Sequence, residues 1–247
     1  MKKLILFFLL LPILSCQEAK EPLSAQQIID KSIEASGGIN YKEAQVSFEF
    51  RDKKYASTNT AGTVVMERIS NMDSVVIRDV KEKNDFKRFI NDSLIAVPDS
   101  LARRYMNSIN SVHYFSRLPY GLNDGAVKKE LLEEVIIKGT PYYKVKVTFD
   151  QQGGGDDFED IYLYWFNQET FLPDFLAYEF HVDGGGVRFR RAYNERFISG
   201  IRFVDYENYK GSPKAFDFFK IDSVFAASGL ELLSKIELEH IGVNRPD

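Results

Sequence analysis

Cysteine is nearly missing from this 247-residue chain: Cys16 is the sole one, so no disulfide can join two points of its fold. Tryptophan occurs once, at Trp165, and histidine three times. His-Glu-x-x-His, Gly-x-Ser-x-Gly, phosphate-loop and dinucleotide fingerprints are all missing, and the glycine triplets at 153–155 and 184–186 lack the spacing that cradles a phosphate. No catalytic residue, cofactor or metal site is therefore expected. An excess of positive charge is missing too, since 32 Lys and Arg stand against 36 Asp and Glu. The net charge of −4 leaves no footprint for nucleic acid. The one long apolar run, residues 4–14, is too short to cross a bilayer as a helix.

What that run does resemble is a secretory signal, with Met1-Lys2-Lys3 before it and Ile13-Leu14-Ser15-Cys16 at its end. The tetrapeptide resembles the lipobox of bacterial lipoproteins: aliphatic first, small before the cut, cysteine after it. The resemblance implies that residues 1–15 are removed and that Cys16 carries diacylglycerol on sulfur and a palmitate-type acyl chain on its amine, enough chains for stable anchoring. The implied partner is a membrane. Gln17, where an Asp would stand for retention, resembles lipoproteins sent to the outer membrane of a Gram-negative envelope. Cleavage takes Lys2 and Lys3 from the 32 basic residues, leaving 30 against 36 and a net charge of −6. An ordinary signal peptide with Cys16 near its cut is the alternative. Residues 16–23, polar and without periodicity, are read as a lipidated tether, and residues 24–247 as one domain.

Within that domain, apolar and polar residues alternate from 142 to 209 in strand after strand, divided by short turns. The period of two and the short connections predict an antiparallel meander. Along 142–149 one face points to a core and the other to water. Tyr162, Tyr164 and Phe166 fall on one face of the aromatic strand at 161–166, and Ile161, Leu163 and Trp165 on the other, so that strand is covered on both sides or lines a cavity on one. Further strands are expected at 46–50, 62–69, 74–80, 85–90, 93–97 and 135–138, with a single closing strand over 230–239. Ser24-Ala25-Gln26-Gln27 fits a capping box and predicts a short helix ended by Gly37-Gly38. From Asp99 the spacing turns helical and ends at Leu118-Pro119. Residues 221–227 fit one or two helical turns.

This order resembles the LolA and LolB family of lipoprotein carriers. Tyr164-Trp165-Phe166-Asn167-Gln168-Glu169-Thr170-Phe171-Leu172-Pro173 is similar to their aromatic strand with its Thr-x-Leu-Pro turn, and Ser199-Gly200-Ile201-Arg202-Phe203 to a later strand start. The whole chain, with its two Gly-Gly-Gly turns, looks like an uncharacterised family of envelope lipoproteins. The resemblance implies a mainly β (α+β) fold: a strongly curved antiparallel sheet of about ten strands, a half-barrel with an N-terminal helix and a covering helix on its concave side. It implies a non-enzymatic binder of an acyl chain or other apolar molecule. The expected lining is Val46, Phe48, Phe50, Leu101, Tyr105, Ile109, Val145, Val147, Leu163 and Trp165, with Trp165 facing the covering helix.

Other readings stay open. A core filled by its own side chains makes the protein a structural or interaction partner, and a cluster of titratable groups in a cleft makes it an envelope hydrolase or lyase. A deoxyribose-phosphate aldolase assignment is disfavoured, because that enzyme needs a (β/α)8 barrel where this chain has hairpins. Asp156, Asp157, Glu159 and Asp160 beside a glycine triplet are read as a solvated turn, with calcium as the alternative. His181, Asp183 and His113 lack zinc spacing. Arg188 and Arg190 are expected to pair with Glu179 or Glu195 across strands, with anion binding as the alternative.

Overall fold

The computed structural model describes residues 21–60, 63–152, 158–181 and 184–245. Ser24 opens α1, Ala25–Ala35, with the predicted reciprocal cap: the Gln27 amide donates to Ser24 Oγ at 3.3 Å and the Ser24 amide donates to Gln27 Oε1 at 2.9 Å. A short α2, Ile39–Glu43, follows. Six strands come next: β1 Gln45–Phe50, β2 Lys53–Thr60, β3 Thr63–Met72, β4 Val75–Glu82, β5 Asp85–Ile90 and β6 Ser93–Ile95. Pro98 then precedes α3, Asp99–Ser116. The meander follows as β7 Val127–Ile137, β8 Thr140–Phe149, β9 Ile161–Asn167, β10 Pro173–Phe180, β11 Gly186–Ile198 and β12 Ile201–Gly211. After α4, Ile221–Ala226, the chain forms β13 Glu231–Ile236 and β14 Glu239–Asn244. No helix among the described residues is long and apolar enough to cross a membrane.

The strands form two antiparallel seven-stranded sheets, ordered β14-β1-β2-β3-β4-β5-β6 and β13-β12-β11-β10-β9-β8-β7, where sequence reading expects a single sheet of about ten. The 18 residues of α3 separate β6 from β7, so the two halves do not pair there. β2 escapes notice because Lys-Lys-Tyr-Ala-Ser-Thr-Asn-Thr carries almost no apolar alternation. The expected single closing strand is two, because the chain changes sheets at residues 237–238: β13 pairs with β12, and β14 with β1. A part-buried pair holds that crossing. Arg196 Nη2 lies 2.8 Å from Asp205 Oδ1 and donates to the Leu238 carbonyl at 2.6 Å, while the Leu238 amide donates to Asp205 Oδ1 at 2.9 Å.

β9 is buried on both faces. Tyr164 and Phe166 pack with Val145, Val147, Leu176, β1 and the apolar sides of α1 and α3 in the main core. Leu163 and Trp165 pack the opposite way, with Phe175, Phe189 and the Phe218, Ile221 and Phe225 side chains of the α4 region. That second layer also corrects the expected wet face of β8. Lys144 is only 1% exposed, donating to the Phe219 carbonyl and lying 3.4 Å from Asp222 Oδ1, so the cation pins α4 onto the sheet.

α3 is seated on the first sheet by a polar ladder. Register places Tyr55, Arg68, Asp79 and Arg88 side by side on β2 to β5. Both guanidiniums share the buried Asp79 carboxylate, Arg68 Nη2 at 2.7 Å from Oδ2 and Arg88 Nε at 2.7 Å from Oδ1. From α3, Ser108 Oγ accepts from Arg68 at 3.0 Å and the Tyr105 ring centre lies 3.8 Å from the Arg88 guanidinium. Removing the shared anion strands two guanidiniums under the helix. Asp79→Asn is therefore expected to cost roughly 3–5 kcal/mol of stability, read by urea denaturation, whereas Asp85→Asn, in an exposed pair, is expected to cost less than about 1 kcal/mol.

Candidate functional site

Side chains three and four apart on α3 divide it into three stripes. Ile109, Val112, His113 and Ser116 are buried. Leu101, Arg104, Tyr105 and Ser108 border one cleft, of about 600 Å³, floored by the Arg68–Asp79–Arg88 ladder and by Met72 and Ile77. Arg103, Met106, Asn110, Tyr114 and Arg117 border a second cleft, of about 700 Å³, whose other walls are Met66 and Lys81 of the first sheet and Val127 and Phe149 of the second. Both volumes fall in the range of about 300–1,000 Å³ typical of small-molecule sites.

The larger cleft is the candidate site, because both sheets and the helix contribute to it and its walls are of two kinds. Met66, Met106, Tyr114, Val127 and Phe149 give an apolar side, while Lys81, Lys83, Arg103 and Arg117 stand, among the described residues, against the one carboxylate of Asp124. Burial and, after it, the nearby Arg117 charge hold the Lys81 ammonium below its ordinary pKa. Burial pushes the Asp124 carboxyl up, opposed by Arg117 and Lys129. At the cleft's inner end, Tyr114 and Tyr164 hydroxyls pair at 2.6 Å, and burial raises both phenols well above their usual range.

Of the ten residues that sequence reading expects to line a ligand site, the structure brings Val46, Phe48, Phe50, Val145 and Val147 together in the main core. Ile109 is on the buried stripe of α3, and Leu101 and Tyr105 border the smaller cleft. Leu163 and Trp165 lie on the far side of β9, so the expectation that Trp165 faces α3 is reversed: its ring lies tilted against Phe189, 5.5 Å between centroids, instead. None of the ten borders the larger cleft. Its cations were missed because the polar stripe of α3 reads as a solvated face. Alternation did hold a signal, since Lys81 continues the inward positions Ile77 and Asp79 on β4.

Cys16, Asp156, Asp157 and Asp183 lie outside the described residues; Glu159 is exposed and Asp160 buried. Among the described residues no three His, Cys, Asp or Glu side chains converge as a metal site. Neither Arg188 nor Arg190 pairs with Glu179 or Glu195. Arg190 donates to the Tyr178 hydroxyl at 3.1 Å, Arg188 lies over the Phe180 ring, Arg191 pairs with Glu207 at 2.8 Å, and Glu195 is taken by Arg202. Aromatic neighbours on the inner face displace the carboxylates that a flat alternation suggests.

A family profile described as "Family of unknown function (DUF6503)" matches residues 2–237. No curated protein matches the chain. Among solved structures it is similar to a LolA superfamily protein from Nitrosomonas europaea, at 15% identity and a TM-score of 0.47 over 90% of this chain and 92% of that one. A DUF1329 family protein from Desulfovibrio piger aligns at 10% identity and 0.44, covering 84% and 99%. A putative outer membrane lipoprotein-sorting protein domain from Vibrio parahaemolyticus aligns at 8% and 0.38, covering 80% and 99%. With TM-scores below 0.5, these likenesses assign no activity.

His113 borders this region from within. Its ring sits 5.8 Å from both Phe48 and Tyr55, and burial lowers its pKa to about 4, against a weak opposing contact with the Glu67 carbonyl. The unfolded chain binds that proton more readily, so the His113 contribution is complete above about pH 6.5 and is lost as pH falls toward 4. Wild-type protein is expected to lose roughly 2 kcal/mol more than His113→Phe between pH 7 and pH 4.5. Urea melts of both proteins at the two pH values check it.

Proposed function

We propose that this chain, which belongs to the family of unknown function DUF6503, is a non-enzymatic, lipid-anchored protein of the bacterial envelope that holds an acyl chain or another apolar molecule in the cleft of about 700 Å³ beside α3. In this reading residues 1–15 are a signal peptide, Cys16 bears the acyl anchor at the outer membrane, residues 16–23 are the tether and residues 24–247 one domain. The side of the sheets that meets α1 and α3 is then the concave side of a LolA-like half-barrel.

The carrying observation is the cleft itself. The core on either side of it is filled by the protein's own side chains, as Tyr164, Phe166, Val145 and Val147 are wholly buried against one another and their neighbours. A guest therefore has its room at the junction of α3 with the two sheets, where Met66, Met106 and Phe149 offer adaptable apolar contact. The filled core also favours a second reading, an interaction protein that holds no guest. Mass measurement separates the two.

For the anchor, Cys16→Ser is expected to leave a folded protein that no longer sediments with membranes and no longer incorporates labelled fatty acid; label retained by the serine variant contradicts it. Native mass spectrometry of the same variant, purified without detergent, is expected to show a co-purified apolar species that Met106→Asp expels. A bare protein that also fails to take up hexadecanoic acid supports the filled-core reading.

A further inference from the structure

We propose that the guest of the larger cleft is an anionic amphiphile whose acid group, a carboxylate or a phosphate, sits on Lys81 and Arg117 while its chain runs along Met66, Met106 and Phe149; this rests on the binding reading above. Elsewhere the chain neutralises the cations that it buries. Arg68, Lys144 and Arg202 are the buried ones among the described residues, and each has a carboxylate: Asp79 at 2.7 Å, Asp222 at 3.4 Å and Glu195 in direct contact. A cation taken out of water without an anion is costly, so such pairing is the ordinary solution.

Lys81 departs from it. Its position on β4, between Met66 of β3 and Phe86 of β5, turns the side chain toward α3, where it is half-buried. Among the described residues no carboxylate pairs with it, and its nearest charged influence is another cation, Arg117. Arg117 is held between the Tyr41 and Tyr120 rings, at 5.6 and 5.5 Å, and its buried Nε has no acceptor. Two poorly hydrated cations thus meet at the cleft with no shared anion among the described residues, on a protein whose net charge is −4. The nearby Asp124 is influenced by Lys129 as well as Arg117, so it is divided between two cations. Lys83 and Arg103 at the mouth add to the positive field that draws an acid in.

Apolar wall and unpaired cations lie in one cleft, which selects a ligand with one acid end and one hydrocarbon end. The asymmetry also sets an orientation: head toward Lys81 and Arg117, chain along Met66, Met106 and Phe149.

The test compares hexadecanoic acid, hexadecyl phosphate and methyl hexadecanoate as ligands of the full chain carrying Cys16→Ser, by titration calorimetry and native mass. Both acids are expected to bind at least tenfold more tightly than the ester, and the tighter of the two names the head group. Lys81→Met should abolish that preference while leaving ester binding and Tm no lower than before. Lys81→Arg should keep it, and Lys54→Met, an exposed lysine of β2, should change nothing. Equal binding of acid and ester, or a preference that survives Lys81→Met, overturns the acid-head assignment but leaves the binding reading standing. If none of the three ligands binds, the binding reading falls and this inference with it.

Discussion

The seating of α3 on a neutralised pair of arginines is the interaction on which the rest of the molecule depends. An amphipathic helix laid over a sheet usually rests on apolar side chains, and the C-terminal half of α3 does so through Val112 and Phe115. Its N-terminal half rests instead on Arg68 and Arg88, which can lie under a helix only because Asp79 removes one of their two charges and orients both guanidiniums. The helix is held at its buried stripe, and open space lies along both of its flanks, the two clefts of about 600 and 700 Å³.

The same economy recurs wherever layers join. Lys144 and Asp222 pin the α4 layer to the outer face of β9, and Arg196 and Asp205 fix the point where the chain passes from one sheet to the other. Without a disulfide, these buried and part-buried charge pairs specify how apolar layers that could slide past one another are set in register. The larger cleft stands out against that background, since Lys81 and Arg117 have no such partner among the described residues.

Much of this was legible in the sequence, and the reason differs by element. The α1 capping box, the α3 boundaries at Asp99 and Leu118-Pro119, and the meander from β8 to β12 depend on local patterns, so they could be read directly. The division into two sheets could not, because it is set by where α3 interrupts pairing and where residues 237–238 cross. Alternation separates the two faces of β9 but does not say which meets α3, and it is the Tyr164 face, not the Trp165 face, that does. Here the phenols satisfy each other inside, Tyr114 with Tyr164. The cleft was illegible for a related reason: its polar side chains lie on a helix stripe and a strand position that look solvated one at a time.

Whether a guest occupies the larger cleft, and not the core or the smaller one, is read from the methionine methyl groups. Met66 and Met106 border the larger cleft and Met72 borders the smaller one. With methyl-labelled methionine, titration of hexadecanoic acid into the Cys16→Ser chain is expected to shift the Met66 and Met106 signals together and saturably while Met72 stays in place. Bound ligand with Met72 moving alone, or with neither Met66 nor Met106 moving, contradicts the account.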